Sequence, residues 1–467
     1  MQSFFIHTFG CQMNVHDSQR MHELLCTSGL RPVDSAEAAD LIVINTCSVR
    51  DKAEQKLDSE LGKLKRLKER RADPPVLAVT GCVATQRGEA MLKRLPFIDL
   101  VLGPDNLGEL PALAHAIAGG APPVVRTRFD LDDPRFLAPS SEAAAPSAFV
   151  SISKGCDERC SFCIVPSTRG PERHRAPAEI VDEVTQLVQR GALEVVLLGQ
   201  TVNGYRNPIS SADGASNGSD FADLLRAVAA GVPALKRLRY TSPHPRFYGP
   251  DVVQAHRELD VLCRHVHMPV QSGSDPVLKR MIRRYTRGEF LEIVRSLRQA
   301  RPDLTVSTDI IVGFPGETDE DFEQTLSIMR EARFTGVYAF KYSPRPGTPA
   351  LRLGDDIPES VKSARLARVF ELSDQLMTEH LQTLVDTVQE VLVEEPSHRG
   401  GRQLSGHTKR NEIVHLDRVD GVDRGAGIIR VKITRAFKHS LEGQPLDPLP
   451  PAGPATRTPV RLNVVQD

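Results

Sequence analysis

No apolar run in this 467-residue sequence approaches the roughly 20 residues that a membrane-spanning helix needs. The opening stretch MQSFFIHTFG lacks both the basic region and the small-residue cleavage site of a signal peptide. A cytosolic chain without a membrane partner is therefore expected. Net charge is nearly absent too: 59 Lys and Arg against 60 Asp and Glu leave a formal charge of −1. That excludes capture of a nucleic acid by the field of the whole molecule and leaves the task to local basic stretches. Such stretches occur at KLKRLKERR (63–71), KRMIRRYTR (279–287) and SHRGGRQLSGHTKR (397–410), although each alone is also what a solvated face looks like. No short-period repeat is visible.

The length is too great for one ordinary domain and suggests roughly three, at about 150 residues each. Hydrophobic residues at 40% and charged residues at 25% are the balance of a globular protein with a sizeable core. Residues 1–125 read as a βα repeat, with SFFIHTFG, DLIVINT, VLAVTG and IDLVLG as strands, hence an α/β doubly wound parallel sheet. A Pro-, Ala- and Ser-rich segment makes 126–148 a linker. Over 149–377 a second βα series offers strands at FVSISKG, EVVLLGQ, RLRYTS, HVHMPVQ, TVSTDIIVGFPG and GVYAFKYSP. It is expected to form a (β/α)6-type partial barrel with its site at the carboxyl ends of the strands. Within it, 207–220 reads as a surface loop, and a helix-rich stretch over 358–386 closes the unit. Residues 378–443 turn to short alternating strands, a small β-barrel, and the Pro-rich 444–467 is expected to lack fixed structure.

Eight cysteines in a cytosolic chain argue for metal or cluster ligation rather than disulfides wherever they group. Cys11, Cys47 and Cys82 each directly follow a candidate parallel strand, and parallel strands end on one sheet edge, so these three are expected to converge. The alternative is ordinary core thiols, the reading taken for Cys26 and Cys263. KGCDERCSFC sets Cys156, Cys160 and Cys163 in a CxxxCxxC array with Phe162 before the last. A structural zinc wants four ligands, and no fourth is near. A 4Fe-4S cluster on three cysteines instead leaves an open iron. That iron can bind the amino and carboxylate groups of S-adenosylmethionine, making these three cysteines the catalytic candidates.

These motifs resemble the radical S-adenosylmethionine methylthiotransferase family over nearly the whole chain, to about residue 443. The resemblance implies a second 4Fe-4S cluster on Cys11, Cys47 and Cys82, and identifies the C-terminal barrel with the TRAM RNA-binding module. One S-adenosylmethionine would methylate sulfur associated with that auxiliary cluster. A second would be cleaved to a radical that takes hydrogen from a C–H carbon. GCQMNVHDS, NTCSVRDKAEQK, GCDERCSFCIVPSTRG, YSPRPGTPA and GHTKRNEIV are similar to the subgroup acting on N6-dimethylallyladenosine beside the anticodon of tRNA. Subgroups acting on threonylcarbamoyl-adenosine or a ribosomal protein carry GCKVN or GCPKN instead. Outside the class, the alternative is a non-enzymatic, metal-containing tRNA-binding protein. The implied partners are tRNA, S-adenosylmethionine, an electron donor and a sulfur source, with a monomer as the expected state. Two departures, His174 and Thr201, are expected to leave the cluster ligands untouched.

At the strand ends Gly199 and Gln200, Gln271 and Ser272, and Gly313 are candidates for S-adenosylmethionine contacts, although a strand-to-loop turn accounts equally for Gly199 and Gln200 and a plain turn for Gly313. His244 and Arg246 are candidates at the same mouth, although an ordinary surface His or Arg is the commoner explanation for either, and Arg345 is expected near the substrate phosphate or the cluster. Arg283, Arg284 and Arg287 are candidates for tRNA backbone contacts, with Tyr285 for stacking on a base. A helix face with one packed aromatic accounts for this last group equally well.

Overall fold

A computed structural model describes residues 1–48, 51–131, 144–208, 220–394, 404–416, 426–448 and 463–464. Most of the expected linker, of the 207–220 loop and of the C-terminal tail lies outside them, as do residues 397–403 of the third basic stretch.

The first sheet contains β1 (Ser3–Phe9), β2 (Arg31–Pro32), β3 (Leu41–Thr46), β4 (Val76–Gly81), β5 (Leu100–Leu102) and β6 (Val124–Arg126), all parallel, in the order β2-β1-β3-β4-β5-β6. LIVINT and VLAVTG are buried at every position, as central strands covered on both faces must be. Helices α1 (Gln12–Thr27) and α4 (Leu110–Ala118) cover one face through Met21, Leu25, Leu110 and Ala114. Helices α2 (Asp51–Arg70) and α3 (Cys82–Arg94) cover the other through Leu57, Leu61, Leu64 and Met91. The sheet is thus doubly wound. Its order reverses at β1, and the crevice outside such a reversal is where open α/β sheets bind ligands.

The second series begins with β7 (Ser147–Ser151), the short antiparallel pair β8 (Ser153–Lys154) and β9 (Arg173–His174), and α5 (Val165–Arg169) between them. Then come α6 (Pro177–Gln189), β10 (Glu194–Leu198), α7 (Asp220–Gly231), β11 (Arg237–Tyr240), α8 (Pro250–Glu258), β12 (His265–His267), α9 (Asp275–Arg280) and α10 (Arg287–Ala300). The series ends with β13 (Thr305–Val312), α11 (Asp319–Ala332), β14 (Gly336–Lys341) and α12 (Glu359–Gln382). Parallel strands β7, β10 and β11 form one sheet and β12, β13 and β14 another, joined where Cys263 N–H donates to Leu238 O at 2.8 Å. β7 and β14 do not pair, so the barrel is partial, with a single large core behind all six strands.

At the C-terminus β15 (Val388–Val393), β16 (Ser405–Thr408), β17 (Ile413–Leu416), β18 (Gly427–Ala436) and β19 (Leu441–Pro445) close into a barrel. Four expected edges move: 125/126 falls inside β6 and 148/149 inside β7, and two more lie toward the C-terminus. The break at 377/378 falls inside α12, because Met377, Leu381 and Leu384 at the end of that helix pack into the small barrel's core. The end at 443 falls inside β19, whose pairing with β18 runs to Pro445. Strands β16 and β19, four and five residues long, escaped the sequence reading because SGHT and LEGQP lack apolar alternation. In the tail, Asn463–Val464 form a short strand, β20, beside His7 and Thr8, where β1 extends past its pairing with β2.

A buried polar knot seats the small barrel against the amino ends of β10 and β11. Arg237, fully buried, donates to His407 O and Glu390 O at 2.9 Å each. Glu194 accepts from Arg239 at 3.2 Å and pairs with His407 Nε2 at 3.1 Å. Burial alone would lower the His407 pKa, but the bonds to Glu194 and Glu394 outweigh it and raise the value. Burial likewise pushes Glu194 up, and Arg239 and His407 reverse that to hold it well below its ordinary value. The His407 contribution is therefore complete below its unfolded value of 6.5 and lost as pH rises through the folded one, whereas that of Glu194 is lost on acidification below 4.5. His407→Ala should cost about 2 kcal/mol in urea unfolding. The difference from the parent should be largest between pH 4.5 and 6.5 and shrink in alkali.

Candidate active site with two cysteine trios

Chain geometry around the first trio is set by one glycine. Gly155 has φ +75°, and a Cβ there would lie 2.0 Å from Pro171 O. Cys156 N–H then donates to Gly170 O at 3.1 Å, and the β8–β9 pair closes the base of the loop. Ser161 ties the far side down through its N–H to Met281 O (3.0 Å) and its hydroxyl to Arg280 O (2.8 Å). Phe162 packs among Val277, Met281, Phe314 and Tyr342. Cys156 and Cys160 are buried and Cys163 half-buried. Burial pushes the Cys156 thiol up to about 11 and Cys163 up to about 12, and in both the charge of Cys160 adds to the rise. The three sulfurs thus feel one another as neighbours. Cys156 Sγ lies 3.2 Å from Thr201 Oγ1, and Cys160 Sγ accepts from Arg283 at 3.3 Å.

Cys11, Cys47 and Cys82 stand at the carboxyl ends of β1, β3 and β4, with Cys11 capping α1 and Cys82 opening α3. Helix amino ends favour thiolates. The Cys11 pKa falls to about 6, chiefly through its hydrogen bond to Cys47. Gly10, at φ +145°, lets the turn close: a Cβ there would lie 2.7 Å from Cys47 Cβ. Asn14 and Asn45 lock the two strand tips together, Asn14 Nδ2 donating to Asn45 Oδ1 at 3.2 Å and Asn45 Nδ2 to Ser18 at 2.8 Å. Arg169, at the end of α5, reaches across to donate to Cys82 Sγ at 3.2 Å and to Asp17 at 2.8 Å. Met13, beside Cys11, packs on Val196 and Leu198 of β10. The sheet edge carrying the second trio therefore lies against the barrel carrying the first. Among the described residues, no group of three or more His, Cys, Asp and Glu side chains is arranged to hold a single metal ion.

Residues 3–103 match a family described as Uncharacterized protein family UPF0004, and residues 150–329 match the Radical SAM superfamily. A protein of Sorangium cellulosum (strain So ce56) named tRNA-2-methylthio-N(6)-dimethylallyladenosine synthase is 58% identical over 465 residues, covering 95% of this chain and 93% of its own. One of the same name from Acidithiobacillus ferrooxidans (strain ATCC 53993 / BNL-5-31) is 44% identical, covering 95% and 97%. The chain belongs to the tRNA-2-methylthio-N(6)-dimethylallyladenosine synthase family. It is a radical S-adenosylmethionine enzyme, and membership brings a 4Fe-4S cluster and S-adenosylmethionine with it. The fold is shared with the radical S-adenosylmethionine methyltransferase TsrM from Kitasatospora setae, at TM-score 0.52 and 14% identity over 86% of this chain and 79% of that one.

In this member of the synthase family, the residues around the first trio only partly follow the sequence reading. Gly199 sits where a Cβ would be 2.7 Å from Ser153 Oγ, and Gln200 beside it is half-buried. Gln271 is buried with φ +70°, its backbone bridging Asp309 O and Ile311 N at the end of β13. Gly313, at φ +69°, presses on the Lys362 stem. Ser272 departs from expectation. Its hydroxyl is 3.4 Å from Thr325 and accepts from Ser274 N, so it braces the α9 turn from within the core.

Arg283 and Tyr285 are not surface residues for tRNA. Both are buried, Arg283 on Cys160 and Tyr285 with its hydroxyl on Val270 O at 2.7 Å and its ring edge-on to His244. The chain alternates in and out here because Ile282 and Arg284 take positive φ, a conformation that no spacing rule reveals. Arg284 is exposed, whereas Arg287 clamps α11 through Gln324 O at 2.8 Å. Arg345 is half-buried in the loop after β14, its carbonyl closing the turn to Thr348. His244 is held neutral, driven down to about 2 by burial and by Arg283, Arg246 and Arg284. Its neighbour Arg246 donates to Glu158, inside the cysteine loop, at 3.0 Å.

Thr201 corrects another expectation, since its hydroxyl touches Cys156. His174 stacks edge-on against Tyr205. Sequence reasoning missed Arg169, Asp17 and Asn45. The signal was their nearness to motif cysteines, in "NTC", "GCQMNVHDS" and "VPSTRG". Because Gly155 has no room for a Cβ, Gly155→Ala should destabilise the protein by about 3 kcal/mol in denaturant titration, through backbone strain.

Proposed function

We propose that this chain attaches a methylthio group to C2 of N6-dimethylallyladenosine beside the anticodon of tRNA, using S-adenosylmethionine. The observation that carries the reading is the juxtaposition of two cysteine trios, each backed by a buried arginine, in a chain that its named relatives match over 95% of its length. We assign Cys156, Cys160 and Cys163 to the radical cluster and Cys11, Cys47 and Cys82 to a second, auxiliary 4Fe-4S cluster. The donor sets fit. Neighbouring thiols that raise one another's pKa, or share a hydrogen bond, suit a polynuclear centre in which each sulfur takes a different iron. When bound, the first cluster supplies an open iron and an electron for cleaving S-adenosylmethionine, and the second a site for the sulfur to be transferred.

The chain's own residues then divide the work. Gly155 and Ser161 hold the radical loop open toward the barrel mouth, and Thr201 and Arg283 orient two of its sulfurs. Gly199, Gln200, Gln271 and Gly313 line the carboxyl ends of β10, β12 and β13, where we place S-adenosylmethionine. The glycines leave room for close backbone approach. Arg345 and the exposed Arg284 are assigned to tRNA, and the C-terminal barrel to its RNA-binding anchor. We assign the first sheet, through β6, to the auxiliary unit, the series from β7 through α12 to the radical unit and the following barrel to RNA. An electron donor and a sulfur source come from outside the chain, which we take to act as a cytoplasmic monomer.

Among the described residues no helix is long and apolar enough to cross a membrane. Anaerobic incubation of the reconstituted protein with S-adenosylmethionine, a reductant and either dimethylallylated or threonylcarbamoylated tRNA should give a methylthio-nucleoside by mass spectrometry only from the first. Product from the second alone would reassign the substrate. Reconstitution should yield about eight irons per chain, and fewer than about six would contradict two intact clusters. Cys160→Ala should abolish 5′-deoxyadenosine formation, while Cys47→Ala should leave it and stop product. Equal loss in both would sink the division of labour.

A further inference from the structure

Each trio is touched by one buried arginine, and the two arginines differ in how their charge is balanced. Arg283 donates Nη1–H to Cys160 Sγ at 3.3 Å. Its other donors go to neutral acceptors, Pro269 O at 3.1 Å and the Tyr285 hydroxyl at 3.0 Å, with its guanidinium 5.2 Å from the centre of the Tyr285 ring. Arg169 donates Nε–H to Cys82 Sγ at 3.2 Å, but its Nη2 meets the Asp17 carboxylate at 2.8 Å. Both arginines are only 6% exposed, so water does little to screen them. Arg169 belongs to α5, directly after the CxxxCxxC loop, and Asp17 to α1, directly after Cys11. The charge near the second trio is thus supplied by the barrel and trimmed by the first sheet.

We propose that Arg283 and Arg169 are positioning residues that set the reduction potentials of the two clusters, and that Asp17 makes the two settings unequal. The inference rests on the two-cluster reading above. Cluster potentials follow net charge, solvent exposure and hydrogen bonds to the sulfurs. Adding an electron makes a cluster more negative, so a fixed cation and an N–H···S bond stabilise the reduced state and raise the potential. Arg283, bonded to no acid among the described residues, raises the potential of the radical cluster by the larger amount. Arg169, half-neutralised by Asp17, raises that of the auxiliary cluster less.

The test isolates each cluster in the full-length protein. Cys11, Cys47 and Cys82 are replaced by Ala to leave the radical cluster, or Cys156, Cys160 and Cys163 to leave the auxiliary one. Each reconstituted form is titrated anaerobically with dithionite, and the reduced cluster is followed by electron paramagnetic resonance. At the potential that half-reduces the parent, Arg283→Gln should lower the ratio of reduced to oxidised cluster about tenfold, a shift of about 59 mV for one electron. Arg169→Gln should lower it less, and the lysine variants, which keep the charge, should recover part of each loss.

Asp17→Asn supplies the opposite sign. It breaks the same ion pair as Arg169→Gln but leaves the arginine, so the auxiliary potential should rise. A merely structural role would move both variants the same way or neither. Unmoved potentials in iron-loaded glutamine variants, or an Asp17→Asn shift to more negative values, would overturn the inference. If a glutamine variant loses its iron, the lysine variants and Asp17→Asn decide by the same signs. Failure of either background with intact arginines to take up iron would instead be a failure of the two-cluster reading.

Discussion

Buried thiols cannot sit side by side as charges unless something positive is placed among them. At Cys156 and Cys163 burial and the neighbouring sulfurs drive the pKa values up to about 11 and 12, so without a positive partner these groups stay protonated. At this first trio iron is the partner that family membership brings, and the surrounding protein holds the sulfurs in place. Gly155 closes the loop, Ser161 ties it to the α9 end, and Thr201 and Arg283 each meet one sulfur. Neither arginine is a surface cation that wandered inward. Each is buried and bonded at several atoms, and a buried charge survives only where its partners are fixed.

The same constraint holds the first sheet to the barrel. Arg20 and Arg175 meet on Glu183, Arg169 meets Asp17, and Arg173 and Lys154 meet Asp105, with every pair crossing from one α/β unit to the other or completing such a crossing. Desolvated pairs of this kind add little net stability but penalise any wrong alignment heavily, since shifting one unit would strand a buried charge. The seating matters to the second trio, because Arg169, which donates to Cys82, comes from the barrel side. At the other end of β10 the knot of Glu194, Arg239 and His407 seats the small barrel in the same manner. The middle unit is therefore gripped at both ends by buried ionic contacts, while its own core is apolar.

The sequence was most informative where physical chemistry is local. Alternating apolar runs and helices announced two parallel-strand series, and every strand so read is observed, while the short strands β2, β6, β8 and β9 went unread as strands of their own. What it placed poorly were edges and side-chain directions. Helix α12 serves two cores, so no composition change marks the passage between them. Arg283 and Tyr285 stand in a basic, solvent-like stretch, yet two residues with positive φ turn both inward. Ser272 looked free at a strand end but is consumed by the Ser274–Thr325 brace.

By itself the sequence determined the two α/β series and which cysteines to watch, because strand and helix periodicity and short-range cysteine spacing are properties of a continuous chain. Tertiary structure alone decided which charges stand beside those cysteines. Arg169 and Cys82 are 87 residues apart, and Arg283 and Cys160 are 123 apart. A hydrogen bond about 3 Å long depends on where two distant elements come to rest. That resting place is set by the packing of whole sheets and helices, so nearness in sequence to the first trio's motif did not reveal that Arg169 would meet Cys82.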